Sequence, residues 1–137
     1  MSVHAWFIDN EPNSGVLGIL AGVSAIEAST SVDGSGETGS TIAANTEHLR
    51  WSLATMNAAI RGEAQGDWKE SWRMLYADKA EWERLRSMLR AEFEWPWQAL
   101  MSQTDLPEEY LSGALALLPH AAYHLGTIRQ MIERVRA

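Results

Sequence analysis

Hydrophobic side chains recur every three or four residues along most of the chain, which is the spacing of one face of an α-helix. After Ser40, a suitable N-cap residue, such positions predict a helix that ends at Ile60. Its apolar face contains Ile42, Leu49, Leu53, Met56 and Ile60. The same spacing predicts a helix from Ser71 onward, with Trp72, Leu75, Trp82, Leu85, Leu89 and Phe93 on its face. A shorter helix is predicted over 16–28.

The last segment has the most regular pattern. Its predicted apolar seam contains Leu111, Leu115, Leu118, Ala122, Leu125, Ile128, Ile132 and Val135. Pro119 removes one helical hydrogen bond, so we expect a kink there. Polar stretches rich in glycine or containing proline separate the helices at 29–40, 62–67 and 103–107. The residue pair Trp95-Pro96 indicates a further kink or helix end.

Four amphipathic helices in one chain bury their apolar stripes by packing together. We therefore predict an all-α fold, a four-helix bundle, formed by a single domain over 1–137 with residues 1–13 as a flexible N-terminal segment. We interpret most of the seven tryptophans as packing residues. Hardly any of the alternation typical of a β-strand occurs.

Charge and composition narrow the classes of function. The chain has 137 residues, of which 18 are acidic and 11 basic, which gives a net charge of −7. Because phosphate contacts require clustered Lys and Arg, this balance argues against nucleic acids and anionic membranes as partners. The chain has no cysteine, which excludes thiolate metal sites, disulfides and a cysteine nucleophile. With no apparent signal or membrane-spanning segment, we expect a cytoplasmic protein.

Three of the four histidines suggest a metal site. His120 and His124 are four residues apart on the last helix, so their rings are stacked along one side of it. Both lie toward one edge of the predicted seam, and His48 lies at an edge of the second helix. Three imidazoles with an open position are the ligand set of catalytic zinc sites, and they suit nickel or iron as well. His4 has no partner in the pattern.

Polar residues near these histidines are weaker candidates for contacts with a cofactor or substrate. Asn45 and Ser52 follow the line of His48, and Thr127 follows that of the other two. No carboxylate lies on either line, so no general base is evident, although Asp78 or Glu81 on another helix remains open. The catalytic residues are unknown at this point. The alternative is that all these side chains only fill helix interfaces.

The motifs resemble those of the DinB-like (DinB/YfiT) superfamily. The similarity is carried by GSTIAANTEHLRWSL at 39–53 and HAAYHLGTIRQM at 120–131, and most specifically by H-x-x-x-H-x-G. The resemblance implies a four-helix bundle with a divalent metal held by His48, His120 and His124. Thr127 departs from the glutamine that the family often has at this position. Dimers are common in the family, so a homodimer is expected.

The resemblance also implies a class of reaction. Characterised members are metal-dependent enzymes that use low-molecular-weight thiols, as S-transferases or isomerases. We therefore expect a small-molecule substrate, a divalent transition metal (Zn, Ni or Fe) and a low-molecular-weight thiol. The alternatives are a metal-dependent hydrolase and a non-catalytic, dimeric, stress-related bundle that binds a metal or ligand.

Overall fold

The computed structural model describes residues 15–102 and 108–137, and every regular element in these two ranges is helical. The α-helices are α1 (Gly15–Ala21), α2 (Ala25–Ala28), α3 (Ile42–Ile60), α4 (Lys79–Ser102) and α5 (Glu108–Arg136), and a 3₁₀-helix covers Trp68–Trp72. The all-α prediction is confirmed. The predicted flexible segment 1–13, His4 and the predicted break at 103–107 lie outside the described residues.

Helix α3 is the central element because it packs against α4, α5 and the 3₁₀-helix. Its buried residues Ile42, Leu49 and Leu53 belong to one hydrophobic core with residues from the other α-helices. The short helices α1 and α2 contact both α4 and α5. His48 therefore lies on the helix that contacts α5, which has the other two candidate histidines, and the 3₁₀-helix.

The first predicted helix is divided into two. α1 ends at Ala21, and α2 begins after Ser24, whose side chain accepts a hydrogen bond from the backbone N–H of Glu27. The Glu27 carboxylate accepts one in return from the N–H of Ser24. This reciprocal capping box favours a new helix start over continuation of the first helix.

Helix α3 is capped by Thr41, which corrects the prediction of Ser40. The Thr41 hydroxyl accepts from the N–H of Ala44 at 3.1 Å and donates to the carbonyl of Leu75 at 2.6 Å. The cap thus also ties the start of α3 to the segment before α4. The buried hydroxyl of Ser40 has no hydrogen-bond partner in the described part of the chain.

The third predicted helix begins later than expected. Its face is buried at Trp82, Leu85, Leu89 and Phe93, as predicted, but Trp72 lies in the 3₁₀-helix and is partly exposed. The helix itself starts at Lys79, where Asp78 and Glu81 each accept a hydrogen bond from the other's backbone N–H. It continues through Pro96 to Ser102, so Pro96 does not end it.

The buried stripe of α5 lies about one residue before the predicted seam. Leu115 is 65% exposed, and the stripe that packs against the core is Leu117, Ala121, His124, Ile128 and Met131. One residue is a rotation of about 100°. The prediction that His124 lies at the edge of the buried face is therefore wrong: it lies in the middle. α5 runs unbroken through Pro119.

None of the helices within 15–102 and 108–137 combines the length and the apolar character needed to cross a membrane.

Candidate metal centre

The structure brings His48 of α3 together with His120 and His124 of α5. Each ring offers one nitrogen to the cluster, and these nitrogens lie within 4.8 Å of one another. The ring centroids are 4.7 Å apart for His120 and His124, 4.9 Å for His48 and His124, and 6.3 Å for His48 and His120. The close approach of α3 and α5 thus joins two parts of the sequence that are 72 residues apart at their nearest histidines.

The three rings differ in burial. His124 is 4% exposed, whereas His48 and His120 are half-buried. The cluster therefore has a closed end at His124, and solvent reaches its other two members. Partial exposure of two members fits a site with an exchangeable ligand better than a fully enclosed structural site.

Two buried ring nitrogens of the cluster have no hydrogen-bond partner among residues 15–102 and 108–137. They are Nε2 of His120 and Nδ1 of His124. A buried polar atom without a partner costs stability, so native proteins usually pair it. A metal ion is one partner that a neutral imidazole nitrogen can take, and the chemistry of this donor set fits a divalent transition metal.

The distances between the ring nitrogens also fit a zinc ion after a small movement of the side chains. Two histidine nitrogens on one zinc ion lie roughly 3.3 Å apart, given tetrahedral angles and Zn–N distances of about 2.0–2.1 Å. The rings therefore need to approach one another by at most about 1.5 Å on metal binding. Rotation of the half-buried His120 side chain, with a small shift of α5 against α3, can supply movement of this size.

Electrostatics keeps the three imidazoles neutral. Burial, together with the smaller effects of the neighbouring His120 and His48, lowers the pKa of His124 to about 4. Burial also lowers the pKa of His120, and burial together with His120 lowers the pKa of His48. At neutral pH each ring therefore has a lone pair available for a metal ion.

His48 makes both a hydrogen bond and a stacking contact with residues outside the cluster. Its Nδ1 lies 2.9 Å from the Ser71 hydroxyl oxygen, and that hydroxyl donates to the carbonyl of Trp68 at 2.7 Å. The indole of Trp72 stacks on the imidazole at a centroid distance of 4.0 Å and an interplanar angle of 9°. All these contacts come from the 3₁₀-helix Trp68–Trp72.

The weaker candidates from the sequence make mainly backbone contacts. The Asn45 amide donates to the carbonyls of Gly39 and Thr41, and the Ser52 hydroxyl donates to the carbonyl of His48. The Thr127 hydroxyl donates to the carbonyl of Tyr123 at 3.3 Å. These bonds are the ones expected of residues that stabilise helices, and a role in binding a cofactor stays a prediction.

In the described ranges the cluster contains three histidines and no carboxylate. Asp78 and Glu81, which the sequence left open as acids for the site, cap the start of α4 through their mutual bonds. The residues that sequence reasoning missed are Ser71 and Trp72, which contact His48 directly. Asp67 immediately precedes Trp68, and aspartate is a common N-cap residue, so the sequence holds a signal for a separate short helix there.

We expect acid to destabilise the metal-free protein through His124. Its pKa is about 4 in the folded state, against an ordinary value of 6.5. Below pH 6.5 the unfolded chain therefore binds a proton at this residue that the folded chain does not bind. Between pH 6.5 and 4 the free energy of unfolding should fall by about 3 kcal/mol from this group. Urea unfolding across this range, in the presence of a chelator, measures the loss.

The control for this pH dependence is His124→Gln, which removes the titrating ring but leaves the carboxylates unchanged. The difference in unfolding free energy between wild type and variant should shrink as the pH falls from 6.5 to 4. A constant difference over that range would show that His124 is not buried as a neutral ring.

Comparisons of the chain with protein-family models, with curated proteins and with solved structures find no match. The resemblance to the DinB-like superfamily therefore stays a prediction from the motifs, and the function is argued from the site.

Proposed function

We propose that the protein is a metal-dependent enzyme in which His48, His120 and His124 bind one divalent transition metal, and that it joins a low-molecular-weight thiol to an electrophilic small molecule. The observation that carries the proposal is the convergence of three imidazole nitrogens within 4.8 Å at the contact of α3 and α5. The buried nitrogens of His120 and His124 that lack a hydrogen-bond partner within the described ranges support it independently.

The reaction class is argued from what the cluster contains. Three neutral histidine ligands leave at least one coordination position for another group. When bound, the metal would supply Lewis acidity, which lowers the pKa of a coordinated thiol or water. The chain brings three ring nitrogens within 4.8 Å of one another, and the burial of His124 keeps water from one side of the cluster.

Thiol chemistry is favoured over hydrolysis because no carboxylate belongs to the cluster within the described ranges. Metal-dependent hydrolases of the H-E-x-x-H type have a glutamate between the histidines that acts as general base. Here Ala121, Ala122 and Tyr123 occupy the intervening positions. A thiol with a lowered pKa needs no such base, because its thiolate is already a strong nucleophile.

We also interpret the fold as a DinB-like four-helix bundle, in which α1 and α2 are parts of one interrupted first helix. The packing of both short helices against α4 and α5 supports this interpretation. So does the position of the three histidines, which is the one that the resemblance implies.

We expect thiol transfer to depend on both the metal and His120. The assay follows loss of the free thiol when cysteine or glutathione reacts with 1-chloro-2,4-dinitrobenzene, where an S–C bond forms, a C–Cl bond breaks and HCl is released. Protein loaded in turn with zinc, nickel or ferrous iron should exceed the metal-free rate by a hundredfold or more, since Lewis-acid activation contributes several kcal/mol. His120→Ala should fall to the metal-free rate.

Tyr123→Phe is the matched control, because it alters the residue next to His124 but retains the ring that contacts it. This variant should retain its activity. Full activity in His120→Ala, or after chelation, would refute the proposed function. A bound metal without any rate increase would favour the non-catalytic alternative.

A further inference from the structure

We propose that the 3₁₀-helix Trp68–Trp72 is a positioning element for His48, in which Ser71 selects the tautomer of the imidazole and Trp72 fixes the plane of its ring. This inference rests on the proposed function only for its purpose, which is to present Nε2 of His48 to a metal. The hydrogen bond and the ring stacking that carry it are independent of any metal.

The tautomer follows from counting hydrogens. Ser71 has one hydroxyl hydrogen, and the carbonyl of Trp68, 2.7 Å away, is an acceptor only. The Ser71 hydrogen is therefore used on that carbonyl, and the 2.9 Å contact with His48 requires Nδ1–H to be the donor. A neutral imidazole has a single N–H. Nε2 of His48 is consequently the nitrogen with the free lone pair.

The burial of Ser71 strengthens this selection. The residue is 1% exposed, so water has little access to replace either of its hydrogen bonds. The opposite tautomer would place two lone pairs, from Nδ1 and Oγ, against each other in a buried site. A contact of this kind, in which a ligand histidine donates its second nitrogen to a fixed acceptor, both orients the ring and increases its basicity.

Trp72 restricts a second degree of freedom of His48, which is rotation of the imidazole about its Cβ–Cγ bond. The indole lies nearly parallel to the imidazole at a centroid distance of 4.0 Å. Gly39 lies beside the indole, where a Cβ would come to 3.6 Å from Cζ3 of Trp72. The stacked indole limits tilting of the imidazole.

The geometry of a 3₁₀-helix explains how consecutive residues reach different parts of one ring. With three residues per turn, Ser71 and Trp72 point about 120° apart. One therefore meets the edge of the imidazole and the other its face. Asp67 caps this helix by accepting from the N–H of Lys69 at 3.0 Å, which stabilises the turn.

The first test reads the tautomer in the metal-free protein. Nitrogen-15 NMR of the histidine rings should show His48 protonated at Nδ1 in the wild type and as a mixture of tautomers in Ser71→Ala. Ser71→Thr, which retains the hydroxyl, should restore the Nδ1–H form. Wild-type His48 protonated at Nε2, or a tautomer unchanged in Ser71→Ala, would overturn the role of Ser71.

The second test measures zinc affinity by competition with a chelator. Ser71→Ala should bind zinc about 10- to 100-fold more weakly, as is usual when a partner of a ligand histidine is lost. Trp72→Leu should also weaken binding but keep the Nδ1–H tautomer, whereas Trp72→Phe, with a planar ring, should recover most of the affinity. Affinity unchanged in Trp72→Leu would overturn the role of Trp72.

The control is Lys69→Ala, which changes an exposed side chain of the same short helix and keeps the Trp68 carbonyl that Ser71 uses. Its affinity and tautomer should match the wild type. Urea unfolding of each metal-free variant identifies those that lose affinity only because they are unfolded. If wild type binds no zinc, the proposed function fails, and the NMR experiment still decides the role of Ser71.

Discussion

Zinc at about a hundred times its dissociation constant is expected to raise the melting temperature of the wild-type protein by about 10 °C and to leave that of His124→Ala unchanged. A ligand at this excess stabilises the folded state by about 2.7 kcal/mol. For a chain of 137 residues, each kcal/mol corresponds to roughly 4 °C. Removing a ligand should weaken zinc binding by more than about a hundredfold, since even outer partners contribute 10- to 100-fold.

The shift is compared within each variant, with and without zinc, because the cavity left by His124→Ala lowers the melting temperature of the metal-free form as well. His4→Ala is the matched control: it removes the one histidine that the sequence pattern leaves without a partner, and it should show the full shift. An equal shift in wild type and His124→Ala would contradict a zinc site at this cluster. Loss of the shift in His4→Ala would contradict a site of three histidines.

The pairing of His120 with His124 could be predicted from the sequence because it depends only on helical geometry. Residues four apart on a helix lie on the same side, and the two ring centroids are indeed 4.7 Å apart. The inclusion of His48 depends on how α3 packs against α5, which periodicity alone does not determine. The position of His48 on its helix and the resemblance predict it, and the structure brings the three rings together.

The rotation of α5 could not be predicted because its sequence is apolar on more than one side. Leu117 and Leu118 are adjacent, as are Met131 and Ile132, so two overlapping stripes satisfy the same spacing. Packing on α3 buries Leu117 and Met131 and leaves the other two half-buried. The choice between the stripes is made by the neighbouring helix and not by the period.

The late start of α4 had a signal in the sequence. Asp78 and Glu81 are three residues apart, which is the spacing of a capping box, and the structure shows both of its hydrogen bonds. The regular spacing of Trp72, Leu75 and Trp82 concealed this signal and extended the predicted helix too far. The separation of Trp72 from α4 is what makes it available to His48. The homodimer and the cytoplasmic location stay predictions.

The contacts of Ser71 and Trp72 with His48 could not be predicted from the sequence for a physical reason. Periodicity reports burial along one element, whereas Ser71 and Trp72 are placed by a tertiary contact with a residue 23 or 24 positions away. Side chains that support a ligand are selected for the ring they touch, so their own neighbours in sequence show no pattern. Such residues become visible only when the packing of the histidine is known.

Replacement of Trp82 by alanine is expected to lower the free energy of unfolding by about 4 kcal/mol, because truncating a buried tryptophan typically costs about 3–5 kcal/mol. Trp82 is 2% exposed, and its indole N–H donates to the carbonyl of Val23 at 2.8 Å. Val23 lies between α1 and α2, so this bond fastens the two short helices to α4. Urea unfolding of the metal-free protein measures the loss.

Two further variants separate the packing of Trp82 from its hydrogen bond. Trp82→Phe keeps most of the ring but leaves the Val23 carbonyl without its donor, so it should cost about 1–3 kcal/mol. Tyr76→Ala removes an aromatic ring that is 59% exposed and should change stability by less than about 0.5 kcal/mol. If Trp82→Ala were as mild as Tyr76→Ala, the indole would not be part of the core. If it were no worse than Trp82→Phe, its contribution would lie in the bond to Val23, and the attachment of α1 and α2 would depend on that single contact.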